Sequence, residues 1–387
     1  MNVEQLRDNL PVTKDMVYMN TGWSGPMPVP VLNRIRDILE QEAKGGPASI
    51  KGLALTRGLQ DEARAALGAL VNADPDDLLL THSTREGLDV VIYGMEWQPG
   101  DELLICDLEH PALTSPGDVL AQRNGVVVKN PNISYTAQQG EILETIAAAI
   151  TPNTKLVALS HIQYTCGLRM PIKEIARASH ERGAPLLVDG AQSVGHIEVD
   201  LADLGADYYA LPGQKWLLGP NGTGALYVDP ARRDGLEPLF STNELEAGRA
   251  YERSPLARFN LVSQNPGLIA GLSECARIAS EIGIDAIEER AMLLSDLMRA
   301  EAASIDGCTL LSPTSHESAC GLVTVSLEGW PPGDLVAVLQ ERFSIVGRTV
   351  RDPDGIRFSA HFFNTEREVE QVVNALKQLI AEGYTPT

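Results

Sequence analysis

The stretch Leu186-Leu187-Val188-Asp189-Gly190-Ala191-Gln192, with Asp207-Tyr208-Tyr209-Ala210-Leu211-Pro212-Gly213-Gln214-Lys215-Trp216 after it, decides the fold. An apolar run closes on an aspartate, and 26 residues later a second closes on a lysine ahead of a Gly-rich turn. Short runs rich in Val, Leu and Tyr read as strands of a covered sheet. Working outward, the same texture predicts strands at 78–81, 102–106, 126–129, 156–160, 186–189, 208–211 and 224–228. Helix-forming stretches at 87–95, 141–150 and 172–182 lie between them. Strands alternating with helices predict an α/β domain built on a mostly parallel seven-stranded sheet with helices on both faces.

Beyond about residue 265 the texture changes. A long helix is expected at 284–303, strands at 321–327, 344–350 and 356–362, and an amphipathic helix at 366–381. Strands grouped with flanking helices predict a smaller C-terminal α+β domain. The expected division is an N-terminal segment, 1–20, associated with the small domain, a large cofactor-binding domain, 21–265, and a small domain, 266–387.

Bulk composition narrows the classes of partner. With 44% hydrophobic and 21% charged residues the chain is globular rather than disordered. A net charge of −21 argues against a nucleic-acid partner. No apolar run approaches the roughly 18 residues of a membrane span. The charged start Met1-Asn2-Val3-Glu4-Gln5-Leu6-Arg7-Asp8 is no secretory signal. Cys106, Cys166, Cys275, Cys308 and Cys320 contain no Cys-x-x-Cys pair, so no metal site is expected and a reducing cytoplasm suits them.

An aspartate and a lysine at neighbouring strand ends are what pyridoxal phosphate chemistry needs. The amine forms a Schiff base with the aldehyde, and the carboxylate keeps the ring nitrogen protonated. The run Leu80-Thr81-His82-Ser83-Thr84-Arg85-Glu86-Gly87 passes from strand into helix, and Ser83-x-x-Glu86 has capping-box spacing. A helix start offers free N–H groups and a favourable dipole, so Ser83, Thr84 and Arg85 are candidates to cradle a phosphate. His110, in Glu109-His110-Pro111, can stack on a pyridine ring. His110, His161, Asp189 and Lys215 all stand at or just past strand carboxyl ends, where α/β sheets gather ligands.

Together these segments resemble the class V aminotransferase family of fold-type I pyridoxal phosphate enzymes, which includes cysteine desulfurases and cystine C–S lyases. The most specific part is Val188-Asp189-Gly190-Ala191-Gln192-Ser193 with Gly213-Gln214-Lys215-Trp216-Leu217-Leu218-Gly219-Pro220. Asp107-Leu108-Glu109-His110-Pro111 and the tail from Arg348 to Arg357 look most like the cystine C–S lyases. The resemblance implies Lys215 as the Schiff-base lysine, Asp189 on the ring nitrogen, Gln192 near the ring hydroxyl and His110 over the ring. It implies Ser83 and Thr84 on the phosphate, with Ser263 reaching across from a neighbouring subunit of a homodimer. Arg357 would take the substrate α-carboxylate, Arg348 or Arg351 would be a second cation, and Gly22 and Trp23 would line the pocket.

Three positions depart from the family pattern. Gln214 stands where histidine is usual, Pro212 replaces a serine or threonine, and Thr165 replaces an asparagine near the ring hydroxyl. Each alters one cofactor hydrogen bond, worth roughly 0.5–1.5 kcal/mol. The loop from Arg348 to Arg357 holds no cysteine to carry sulfur as a persulfide. The expected reaction is therefore β-elimination from cysteine, cystine or a related amino acid. Transamination, epimerisation and desulfurase chemistry are the alternatives.

Overall fold

A computed structural model describes residues 3–239, 255–260 and 263–384. After a short strand β1 (Val17–Tyr18) come β2 (Leu78–Thr81), β3 (Glu102–Leu104), β4 (Val127–Lys129), β5 (Thr154–Ser160), β6 (Leu186–Asp189), β7 (Tyr208–Pro212) and β8 (Gly224–Val228). Strands β2 to β8 form one seven-stranded sheet in the order β2-β8-β7-β6-β5-β3-β4. β8 runs antiparallel to β2 and β7, and the other pairings are parallel.

Alternation along the strands feeds two cores. Leu186 and Val188 join the apolar cluster on one face, and Leu187 joins the cluster on the other. Register then sets the site. Ser160 pairs with Asp189, and Asp189 with Ala210, so β5, β6 and β7 discharge their following loops at one edge.

Three helices carry no strand-like alternation and stand out less in the sequence: Val29–Gly45, Ile50–Val71 and Pro266–Ile282. The last packs against the other two through small residues. A Cβ on Gly271 would stand 2.8 Å from the Ile35 side chain, so only glycine allows that approach. Its Ile269, Leu272, Cys275 and Ala276 join the core of the large sheet. This helix ends at Gly283 (φ 89), and Ile287, Cys320, Leu322 and Phe363 beyond it still pack into the same core.

The C-terminal sheet has the order β12-β13-β10-β9, from β9 (Cys308–Leu310), β10 (Leu322–Leu327), β12 (Arg348–Val350) and β13 (Gly355–Ser359). Helices Ile284–Ala303 and Glu366–Glu382 cover it, sharing one core with Val323, Val325, Ile356 and Phe358. The single strand expected at 344–350 is two. β11 (Ile345–Val346) pairs with β1, whereas β12 pairs with β13. Gly347 makes the break where Ile356 and Phe358 press close: a Cβ there would meet each at 3.1 Å.

The N-terminal strip runs on from β1 along this sheet toward the large one. Ser359 N–H donates to the Met19 carbonyl at 2.7 Å, and Gly25 N–H donates to the Gln214 carbonyl at 2.7 Å. Among the described residues no helix is long and apolar enough to cross a membrane.

Candidate active site

The loops leaving β3, β5, β6 and β7 and the start of helix Thr84–Gly94 enclose a cavity of about 310 Å³. Trp23, Ser83, Thr84, Arg85, His110, Asp189, Gln192, Gln214, Lys215 and Arg348 all line it. Convergence of the two halves of the deciding stretch is thus a property of the fold.

Asp189 ends β6 almost fully buried, and the Ala191 N–H donates to its Oδ1 at 2.9 Å. Burial raises its pKa, and the facing Lys215 opposes that rise. Lys215 follows β7 in the turn, where burial lowers its pKa to about 8; Asp189 pulls upward, and Arg357 and Arg348 push down. Among the described residues neither group makes an ion pair. They face one cavity without closing on each other, which leaves room for a flat group between amine and carboxylate.

His110 is the N-cap of helix Pro111–Asn124, its Nδ1 accepting the Ala112 N–H at 3.0 Å. Its proton therefore sits on Nε2. The ring meets Tyr164 edge-on, 4.8 Å between centroids. Burial lowers its pKa to about 4, helped by Lys215 and three arginines, so the imidazole is neutral at pH 7.

Ser83 caps helix Thr84–Gly94 with its Oγ, which accepts the Glu86 N–H at 3.2 Å. The Glu86 carboxylate turns to the His82 N–H and ring rather than to the N–H of Ser83, so the expected box closes one residue early. Arg85 lies alongside, held by Asp89 at 3.2 Å and the Pro111 carbonyl at 3.4 Å. Unpaired first-turn N–H groups, two hydroxyl residues and a guanidinium make a suitable anion cradle.

Other expected residues take different places. Arg357 is fully buried behind Gly22, with Nη1 on the Tyr164 carbonyl at 2.5 Å and with Nε and Nη2 unpartnered. Burial lowers its pKa to about 9. A Cβ on Gly22 would stand 3.0 Å from Arg357 Nη2 and 2.9 Å from Gln192 Oε1, so this glycine keeps the approach open. Thr165 is withdrawn from the cavity, its hydroxyl donating to the Asp352 carbonyl at 3.2 Å. His161, expected to converge, instead turns beneath the sheet edge to the Tyr209 hydroxyl at 2.9 Å. Ser263 is exposed, and its carbonyl meets His82 Nε2 at 3.1 Å.

The sequence pattern did not single out Ser160, which lines the cavity, or the role of the buried Glu109 behind it. The Glu109 carboxylate accepts from the Ser160 N–H at 2.9 Å, the Ser160 hydroxyl and Gln163 Nε2 at 2.7 Å. Burial raises its pKa to about 7 against those hydrogen bonds. Only the strand-end position of Ser160 hinted at it.

Comparison with known proteins agrees with this geometry. The family model described as Aminotransferase class-V matches residues 17–372. A probable cysteine desulfurase of Methanothermobacter thermautotrophicus is 30% identical, over 99% of both chains. The isopenicillin N epimerase of Streptomyces clavuligerus is also 30% identical, over 98% of both. The cystine C–S lyase C-DES, solved with its product cysteine persulfide, superposes with a TM-score of 0.88 at 26% identity, covering 95% of this chain and 99% of its own. A C-DES mutant carrying glycine covalently linked to its PLP cofactor superposes with a TM-score of 0.87 at 26% identity, covering 96% and 98%. The cofactor here is pyridoxal 5′-phosphate, and the residues fit it: an amine and a buried carboxylate apart across a slot, a neutral imidazole beside them and an anion cradle at one end.

Proposed function

The chain belongs to the class-V aminotransferase family, and from that premise we propose that it is a C–S lyase. It would act by β-elimination on cysteine, cystine or a related sulfur amino acid, giving pyruvate, ammonia and a sulfur product. Bound in the cavity, pyridoxal phosphate supplies an electron sink for negative charge at the substrate α-carbon. Ser83, Thr84, Arg85 and the helix start would hold its phosphate, Asp189 its ring nitrogen, Gln192 its ring oxygen and Lys215 its aldehyde carbon. His110 would cover one face of the ring, with Gln214 beside the lysine.

Lys215, with the cofactor bound, would be the base placed to take the substrate α-proton. An amine with a pKa near 8 is poised for that work at neutral pH. Arg357 behind Gly22 supports the α-carboxylate, with its unpartnered Nη2 the natural donor. Arg348 lines the mouth against Trp23 and suits a second anionic group, such as the distal carboxylate of cystine. Elimination would pass the α-proton to Lys215 and expel the sulfur group with the C–S bonding pair, as hydrosulfide from cysteine, a persulfide from cystine or another sulfur anion. Water then releases ammonia and pyruvate.

One observation carries elimination over enzyme-borne persulfide: none of the five cysteines lines the cavity. Burial pushes the thiols of Cys166 and Cys275 up to about 12, those of Cys308 and Cys320 up to about 11 and that of Cys106 well above its ordinary value, so none is a ready nucleophile. The 30% identity to an epimerase favours α-epimerisation as the second reading. Purified protein given cysteine, cystine and a cysteine sulfoxide should yield pyruvate from at least one, and Lys215→Ala from none. Exchange of α-deuterium without pyruvate would favour the epimerase.

A further inference from the structure

Trp216 directly follows the lysine and is 1% exposed, yet it does not itself line the cavity. Its contacts converge on a single neighbour. The indole Nε1–H donates to Gln192 Oε1 at 2.8 Å. Its ring lies flat on His196, centroids 3.6 Å apart and planes within 5°. His196 Nε2 accepts the Gly321 N–H at 2.9 Å, so the proton is on Nδ1, which donates to the Gln192 carbonyl at 2.8 Å. On the other side His361 stands edge-on to the indole at 5.1 Å and donates from Nε2 to the Trp216 carbonyl at 2.9 Å.

These contacts fix which way the Gln192 amide faces. An indole nitrogen only donates, so the amide oxygen must point toward Trp216. Independently, Gln192 Nε2 donates to the Gly22 carbonyl at 2.9 Å, which demands the same orientation. One Nε2 hydrogen remains, on a side chain that lines the cavity. Gln192 thus keeps an Nε2–H donor for whatever binds in the cavity beside Asp189.

We infer that Trp216, braced by His196 and His361, is a positioning residue that locks the Gln192 amide so that it donates to an anionic ring oxygen of the cofactor. The inference rests on the proposed cofactor contact of Gln192 and adds the device that orients it. Because Gly321 and His361 belong to the C-terminal domain, the lock also reports how that domain is seated. Charged groups facing the same space are Arg85, Asp189, Lys215 and Arg348, with Tyr164 and neutral His110 also in the wall and Arg357 behind Gly22. The variants below leave all of them in place.

The test is a pH titration of the visible absorbance of the lysine-bound cofactor in holoenzyme. Trp216→Phe keeps a ring against His196 and deletes the donor. A donor to the ring oxygen favours the form whose imine nitrogen has lost its proton, so the titration midpoint should rise by about one unit. Gln192→Met should raise it similarly, and the double variant should go no further, because both remove one unit of structure. A purely space-filling tryptophan would lower the melting temperature and leave the midpoint unmoved, which overturns the inference. So does an additive double variant. As a check independent of how Trp216→Phe folds, the Trp216 indole N–H should be protected from solvent exchange in wild type and lose that protection in Gln192→Met; equal protection in both overturns the lock. A wild-type protein that captures no B6 aldehyde would instead sink the proposed function and this inference with it, an outcome distinct from a normal holoenzyme whose midpoint ignores Trp216.

Discussion

The guanidinium carbon of Arg348 sits 3.8 Å from the ring centroid of Trp23 at the mouth of the cavity. Trp23 is 55% exposed, and half-buried Arg348 has an unpartnered Nε. Stacking orders the guanidinium at modest cost while leaving its edge free for an anion. Arg348→Met should therefore raise KM for cystine by about tenfold, the loss of one charge-assisted contact, with a smaller change for cysteine. Steady-state kinetics on both substrates checks this; an equal change for both would deny Arg348 a distal role.

Lys215 gives a pH dependence of cofactor capture. Its pKa in the fold, about 8, lies below the unsubstituted amine value because burial disfavours the charge. The unfolded chain holds that proton to higher pH, so cofactor-free protein gains stability as pH rises from about 8 toward the free-lysine value near 10.4. The neutral amine is the reactive form. The rate of B6 aldehyde uptake by cofactor-free protein should climb with a midpoint near pH 8, read by stopped-flow absorbance.

Glu109 works in the opposite sense. Its folded pKa, about 7, is above the ordinary carboxyl value, so the folded state holds the extra proton between the two. Stability from this group is greatest at acid pH and falls as pH rises through that window. Glu109→Gln should remove the slope. Its amide oxygen can keep the Ser160 N–H and Gln163 contacts, and the Ser160 hydroxyl can reverse to accept from the new NH2. Thermal melts at pH 5 and pH 8 should show the variant gaining on wild type at the higher pH. The gain is at most on the order of 3 kcal/mol.

Gly22→Ala tests the crowded approach to Arg357. The new Cβ would stand 2.9–3.0 Å from Gln192 Oε1, Ser359 Oγ and Arg357 Nη2. Those groups belong to a site rather than to bulk core, so turnover should fall at least about tenfold while stability drops by roughly 1–3 kcal/mol. Comparison of kcat/KM with the denaturation midpoint separates the two effects. Full activity with a normal melt would show that Gly22 does not serve the carboxylate.

The strand reading succeeded because the buried strands of the large sheet carry unbroken apolar runs, as in Leu186–Asp189 and Gly224–Val228. Strand ends also located Asp189, Lys215 and His110. Direction was another matter. Position past a strand end cannot say that His161 turns to Tyr209 while its neighbour Ser160 faces the cavity. Nor does spacing reveal that Gly347 divides one apolar run between two sheets, since the cause is Ile356 and Phe358 pressing from another strand. The lock on Gln192 was illegible for the same reason: Trp216, His196 and His361 meet only in three dimensions.

Between Val17 and Gly25 the backbone pairs with β11 at Ile345, touches the C-terminal sheet at Ser359, then meets the segment bearing Lys215 at Gln214. Nine residues of main chain thereby moor the C-terminal sheet to the lysine's own loop. Deleting residues through Gly25 would cut that mooring, so such a variant should lose cofactor affinity before it loses its folded sheet.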